Sequence, residues 1–451
     1  MAATPEPIPA QYGALAFLPL LSFVLLFLGA GIYYQSLQVD YAFYQLPAHV
    51  AVLPAIVLAM LLHRAPLQQS VSVLIQGAGH STILTMCFIY LLAGAFSSVA
   101  VATGGVDAVV NAGLSLVPAS LLLPGLFLIA ALIALAMGTS MGTIGALAPI
   151  AVALAQQTGL SPVLVAGALL GGAMFGDNLS IISDTTIAST RTQGARMKDK
   201  FRENLKLALP AAAVVLLGYI WFGSVPADIQ SEAFSWSAVL PYLAILVLAV
   251  AGLNVFAVLS LGIVLAALQG AVFGDYQLGQ LGQDVASGFA SMQEIFLLSM
   301  FIGALGEFIK QQGGLAWLSS KLSHFFNRIK MHAERSGQLG IAALVFGTNL
   351  CVANNTVAIV ISGDISRNLA QNHGVSPRRS ASMLDIFACI SQGLLPYGAQ
   401  ALLLAASFSL SPLQVVASSF YCMALAVVAL LWLSLQPLTA QPKPELNSTN
   451  A

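Results

Sequence analysis

The sequence predicts an all-α polytopic membrane protein built from two inverted-topology repeats with re-entrant hairpins and broken helices. Three observations carry that expectation: a composition too apolar for a solvated surface, glycine landmarks that recur at a fixed displacement, and matched loops of opposite charge character. Of 451 residues, 58% are hydrophobic and 7% charged, whereas a soluble domain carries about 25% charged residues. Sixteen Lys and Arg against seventeen Asp and Glu leave a net charge of −1, which offers no basic surface to nucleic acid. Cys87, Cys351, Cys389 and Cys422 sit inside apolar segments at unrelated spacings, so they read as packing residues rather than disulfides or metal ligands.

Apolar runs at 14–34, 46–62, 82–102, 162–190, 206–223, 237–252, 254–273, 294–311, 380–408 and 413–436 are candidate spans. The first is too long for the apolar core of a cleaved signal, and reads as a retained helix. Cationic residues gather at Arg64, at 191–206, at Lys321, Arg328, Lys330 and Arg335, and at Arg378 and Arg379. Those loops should be cytoplasmic, with the stretch from Arg196 to Lys206 a solvated topology signal. The loops around Asp40, Asp107, 228–232 and 275–284 lack Lys and Arg and should face outward.

Gly94 and Gly104-Gly105 recur as Gly303 and Gly313-Gly314, and Gly79 as Gly288, each 209 residues on. The same displacement carries Gly138-Thr139 onto Gly347-Thr348, and Gly159-Leu-Ser-Pro reappears as Gly374-Val-Ser-Pro after a six-residue insertion. The loop after Gly104-Gly105 is cation-free, whereas its counterpart holds four cations. Matched loops therefore lie on opposite sides, the inverted arrangement of secondary transporters. The chain divides into N-terminal transmembrane helices (1–66), a first repeat (67–205), connecting helices (206–275), a second repeat (276–410), and a last span with a polar tail (411–451). Within the repeats, 119–156 and 336–366 read as re-entrant hairpins with polar tips GTSMGT and GTNLCVANNT, and 162–190 and 380–408 as broken helices.

The chemistry concentrates in FGDNLSIISDTT, halfway along 162–190, where Gly176 suggests the break. An ionised Asp at membrane depth costs at least roughly 2.5 kcal/mol, and no cation lies within that segment. A mobile cation resolves the cost: Na+ prefers carboxylate, amide and carbonyl oxygens, and a proton can occupy the same carboxylate because burial disfavours the charged form. Asp177 and Asp184 are the expected Na+ ligands, with Asn178, Ser180, Ser183 and Thr185 beside them. Asp385, by contrast, reads as an interfacial partner of Arg379.

The string GDNLSIISDTT, the basic loop after it and the second-half GTNLCVANNT resemble the NhaC-type Na+/H+ antiporter family, itself similar to the ion-transporter superfamily. The resemblance covers roughly 80–420. It implies ion-binding roles for Asp177, Asn178, Ser180, Ser183, Asp184 and Thr185, and more loosely for Thr139, Asn349, Asn354 and Asn355. It also implies Na+/H+ exchange by alternating access in a bacterial inner membrane, with both termini cytoplasmic. Relatives that move methionine, or malate and lactate, keep a second reading open: a Na+- or H+-coupled transporter of a small organic solute. Expected partners are sodium ions, protons, that solute, the bilayer and a second copy of the chain, with no cofactor. An enzyme is not expected: Met174 and Met141 stand where aspartyl and rhomboid-like intramembrane proteases need glycine.

Overall fold

The computed structural model describes residues 12–39, 42–223, 233–328 and 332–435. Expectations for Asp40, 228–232, Lys330, the first eleven residues and the tail from 436 lie outside them. The described residues form helices and no strands. α1 (Leu18–Ser36), α2 (Ala48–Ala51) and α3 (Leu53–His63) precede the stretch expected as the first repeat. That stretch comprises α4 (Leu67–Ala78), α5 (Ser81–Ala102), α6 (Gly105–Leu116), α7 (Leu122–Met137), α8 (Ser140–Thr158), α9 (Pro162–Leu179) and α10 (Asp184–Gln193). α11 (Met197–Phe222), α12 (Trp236–Val250) and α13 (Val255–Phe273) connect it to the second. There follow α14 (Leu281–Gln311), α15 (Gly314–Arg328), α16 (Ala333–Val352), α17 (Asn355–Asn372), α18 (Pro377–Gly393) and α19 (Ala399–Phe408), then α20 (Pro412–Ala417) and α21 (Phe420–Leu435). Among the described residues, six helical segments are long and apolar enough to cross a membrane: Gly13–Tyr34, Ser81–Ala102, Pro162–Gln193, Met197–Trp221, Val255–Phe273 and Leu278–Gln311.

The two halves repeat element by element, but not at one displacement. Gly104 and Gly313, both at positive φ, keep the spacing of 209. The hairpin corners do not: α7 turns into α8 at Gly138, with Thr139 capping, and α16 turns into α17 at Ala353, with Asn354 capping. That spacing is 215, and it holds for Pro162 with Pro377 and for Asp184 with Ala399. The expected match of Gly138-Thr139 to Gly347-Thr348 is therefore corrected: Gly347 lies inside α16, and the insertion precedes the corner. Gly138 takes the left-handed conformation at no steric cost; Ala353 takes it at φ 49°, which is why no glycine marked the corner in the sequence.

Contacts between α5 and α14 fix the relation of the repeats. Tyr90 OH lies 3.2 Å from Ser299 Oγ, and Cys87 Sγ lies 3.7 Å from Phe296 O. Each of these residues meets its own counterpart 209 positions on. A Cβ on Gly94 would collide with Gly288 O, and one on Gly303 would come within 3.2 Å of Ile83 Cδ1, so partners descend along α14 as positions rise along α5. Only a two-fold axis across an antiparallel pair gives such self-matching contacts. Because both helices are long enough to span, the axis lies in the membrane plane and the repeats are inverted. Small residues at the crossing let the backbones touch, the usual route to helix association without a hydrophobic drive.

α9 packs on α7 by the same means. Gly172 and Gly176 face Phe127 O and Ala131 O so closely that neither tolerates a Cβ. Gly176 is thus a packing residue within α9, and the break comes later, at Ser180–Ser183, both extended. In the second half the break falls at Leu394–Gly398, where Pro396 cannot continue a helix. Finally, α11 starts at Met197 and buries Lys200, Glu203 and Asn204. The cation-rich stretch is only in part the solvated loop expected.

Candidate ion-binding site

Irregular backbone at membrane depth must be satisfied by protein groups, and the break in the α9–α10 crossing is. Ser180 Oγ donates to Leu135 O at 2.8 Å, and Thr186 Oγ1 to Ser180 O at 2.7 Å. The carbonyl of Asn178, freed by the break, accepts from Lys200 Nζ at 3.0 Å and Asn204 Nδ2 at 2.9 Å. A cation at the C-terminal end of a half-helix also meets the negative end of its dipole.

Asp177 is 6% exposed. Its Oδ2 accepts from Ser140 Oγ at 2.9 Å and its Oδ1 from Ser183 Oγ at 2.6 Å; Ser183 in turn lies 2.9 Å from Thr185 Oγ1. Ser140 opens α8 and Ser183 caps α10, so the carboxylate faces two half-helix N-termini, whose amide dipoles favour negative charge. No Lys, Arg or His among the described residues lies within ion-pair distance of it. Two carboxylate oxygens and three hydroxyls make a cluster of hard oxygen donors, the kind that suits Na+.

Asp184, in the first turn of α10, is exposed. It accepts from the Thr185 amide at 2.9 Å and from Thr356 Oγ1 of α17 at 2.7 Å. Thr356 lines a cavity of about 190 Å³ together with His80, Thr82, Glu307 and Lys310. The two aspartates therefore occupy different surroundings, one enclosed by first-repeat hydroxyls and one tied to the second hairpin at a cavity wall.

The remaining expected site residues are placed as follows. Asn178 turns its amide to Tyr421 OH at 3.3 Å, and Ser180 is committed to Leu135 O. Thr139 and Asn354 serve as caps, accepting from the amides of Gly142 and Val357, and Asn355 Oδ1 accepts from the Thr356 amide. Asn349 donates to Ala388 O at 3.2 Å and Ser391 Oγ at 2.7 Å.

The expected list of site residues left out four groups. Ser140 sits in the GTSMGT tip beside Thr139, and only the hairpin corner brings it to Asp177. Thr356 and Gln400 come from the other repeat. Lys200 was hidden among loop cations. It is 1% exposed and pairs at 2.7 Å with Asp385, also 1% exposed. Asp385 is therefore not the partner of Arg379, which pairs with Glu334.

Comparison with known proteins bears on the class. A model described as the Na+/H+ antiporter family matches residues 11–224. The chain is 26% identical over 294 residues to the malate-2H+/Na+-lactate antiporter of Bacillus subtilis (strain 168), covering 61% of each. It is 23% identical to the Na+/H+ antiporter NhaC of the same organism, over 76% of this chain and 81% of that one. NhaC of Alkalihalophilus pseudofirmus is 22% identical, over 74% and 78%. The chain thus spans about three fifths of the malate-lactate relative and about four fifths of the two NhaC proteins. The crystal structure of the Alcanivorax borkumensis YdaH transporter aligns over 78% of this chain and 86% of that one, at a TM-score of 0.40 and 15% identity, a likeness too low to carry an argument. Together the sequence matches show that this integral membrane protein is similar to members of the Na+/H+ antiporter family.

Proposed function

We propose that the protein is a Na+/H+ antiporter that works by alternating access, with Asp177 as the carboxylate that Na+ and H+ occupy in turn. The observation that carries this reading is the burial of Asp177 among hydroxyls with no cationic partner among the described residues. Ser140, Ser183 and Thr185 supply neutral oxygens to a bound Na+, and Asp184 forms the second acidic position, toward the cavity wall. The two hairpins gate opposite sides of an inner membrane in which both termini are cytoplasmic and the chain assembles as a homodimer. Competition for one site makes the apparent KM for Na+ rise as pH falls. In everted vesicles, Na+-driven dequenching of a pH-sensitive dye vanishes in Asp177→Asn; exchange equal to the parent's rejects the assignment.

A second reading is kept by one observation, the similarity to the malate-2H+/Na+-lactate antiporter. In it, ion flux is coupled to a small carboxylate or amino acid, and the cavity beside Thr356, with Lys310 at its wall, has room for such a molecule. Flux measured with and without malate, lactate and an amino-acid panel separates the readings. Solute-independent exchange supports the first, and solute-dependent ion flux the second.

A further inference from the structure

The cavity beside Thr356 marks a difference between the repeats. Its α17 wall carries Thr356, Val357 and Val360, and its α14 wall carries Gly306, Glu307 and Lys310. At the displacement of 215, Val357 and Val360 match Gly142 and Gly145 of α8. In the first repeat these positions are shut. A Cβ on Gly142 would lie 2.6 Å from Val255 Cγ2 of α13, and one on Gly145 would lie 3.1 Å from Ala93 Cβ of α5. Both glycines are buried, whereas Val360 is 56% exposed.

The shut face and the open face lie toward opposite sides of the membrane, because the repeats are inverted. Lys310 on the open cavity's wall is followed by Lys321 and Arg328 of α15, and His80 at its rim is preceded by Arg64. Such a gathering of Lys and Arg marks the cytoplasmic side. At the hairpin end of the cavity Thr356 Oγ1 donates to Asp184 Oδ2 at 2.7 Å, so the open space leads to the second acidic position. Bulk and hollow also trade places between the halves. On the shut face the glycines belong to α8 and the side chains to α5 and α13. On the open face the side chains belong to α17, and α14 offers Gly303 and Gly306.

We propose that the cavity is the cytoplasmic path to Asp184, and that Val357 and Val360 shut it by seating against Gly303 and Gly306 when α8 parts from α5 and α13. The inference rests on the alternating-access reading and adds which face stands open and which side chains close it. Packed interfaces exchange between discrete arrangements rather than deforming continuously. Both valines act by position, through the fit of α17 on α14. A larger side chain at Val360 therefore suits the open face and obstructs the closed one.

Val360→Trp and Val360→Ala are reconstituted beside the parent, and Na+-driven dye dequenching is measured. Val360→Trp should survive heating as the parent does, because the cavity of about 190 Å³ receives the ring. Its exchange should be about tenfold slower or more, because the closed face is overpacked. Val360→Ala, which leaves closure free, should keep turnover within about threefold of the parent's. In a chain lacking its four cysteines, Val360→Cys should react with a membrane-impermeant maleimide in everted vesicles, which expose the cytoplasmic face, and not in right-side-out ones. Labelling faster from the outer face, or Val360→Trp exchange equal to the parent's, overturns the gate. If Val360→Trp does not fold, Val357→Trp replaces it, and the sidedness of labelling decides independently. If the parent itself shows no Na+-driven exchange, the antiporter reading fails and the gate with it. Normal parent exchange beside either contrary result refutes the gate alone.

Discussion

The buried pair of Lys200 and Asp385 makes the sharpest stability prediction. The Lys200 ammonium uses all three protons, on Asn178 O at 3.0 Å, Thr186 Oγ1 at 2.6 Å and Asp385 Oδ2 at 2.7 Å. Asp385 keeps one further donor, Asn204 Nδ2 at 2.7 Å. Lys200→Met therefore leaves a buried carboxylate with a single neutral donor and removes a donor from the α9 end. Breaking a buried pair from one side costs about 3–5 kcal/mol, whereas replacing both partners with apolar residues of like volume is often neutral. Lys200→Met and Asp385→Leu should each lower the temperature at which detergent-purified protein survives as a single gel-filtration peak. The double variant should recover most of that loss, with a coupling of at least about 2 kcal/mol, at the strong end for residues in contact. Fully additive losses, or single variants as stable as the parent, refute the reasoning.

Two further outcomes follow from close packing and from the hydroxyl shell. Gly94→Val drives a side chain into Gly288 O at the α5–α14 crossing and should abolish folded protein, since overpacking costs about 1–3 kcal/mol even where side chains can adjust and here the obstacle is backbone. Gly125→Ala, with nothing within 4 Å of its added Cβ, should leave stability unchanged or raised by up to about 1 kcal/mol; yield and thermal survival check both. Ser183→Ala should raise the KM for Na+ about tenfold or more, because a hydrogen bond to a charged group is worth about 1.5–3 kcal/mol. Ser180→Ala, whose hydroxyl serves Leu135 O, should act on stability instead, and equal KM effects from the two would contradict the geometry.

Asp177 was legible because a carboxylate in an apolar run stands out against its background. Lys200 was not, because a cation among Arg196, Lys198 and Arg202 looks like one more loop charge, and only the early start of α11 at Met197 turns it inward. Glycine landmarks disclosed the repeat where both copies kept glycine, as at Gly104 and Gly313. They misled at the second corner, where Ala353 adopts the same backbone without the marker residue. Gly176 misled in the opposite sense: a glycine in a helix signals a break or a close neighbour, and the letters alone do not separate the two. Gln392 and Gln400 were visible as polar letters in a broken span, but their link to Ser140 exists only across the repeat interface.

The α5–α14 crossing, where Tyr90 meets Ser299 and Cys87 meets Phe296, makes this chain its own dimer, with one covalent difference. Two identical subunits would have to show every residue twice around such an axis, and an aspartate at the Asp177 position would face a second one. Joined in a single chain, the halves are free to differ. One carries a carboxylate at that position and the other the amide of Gln392, so the two halves need not bear the same charge at the centre.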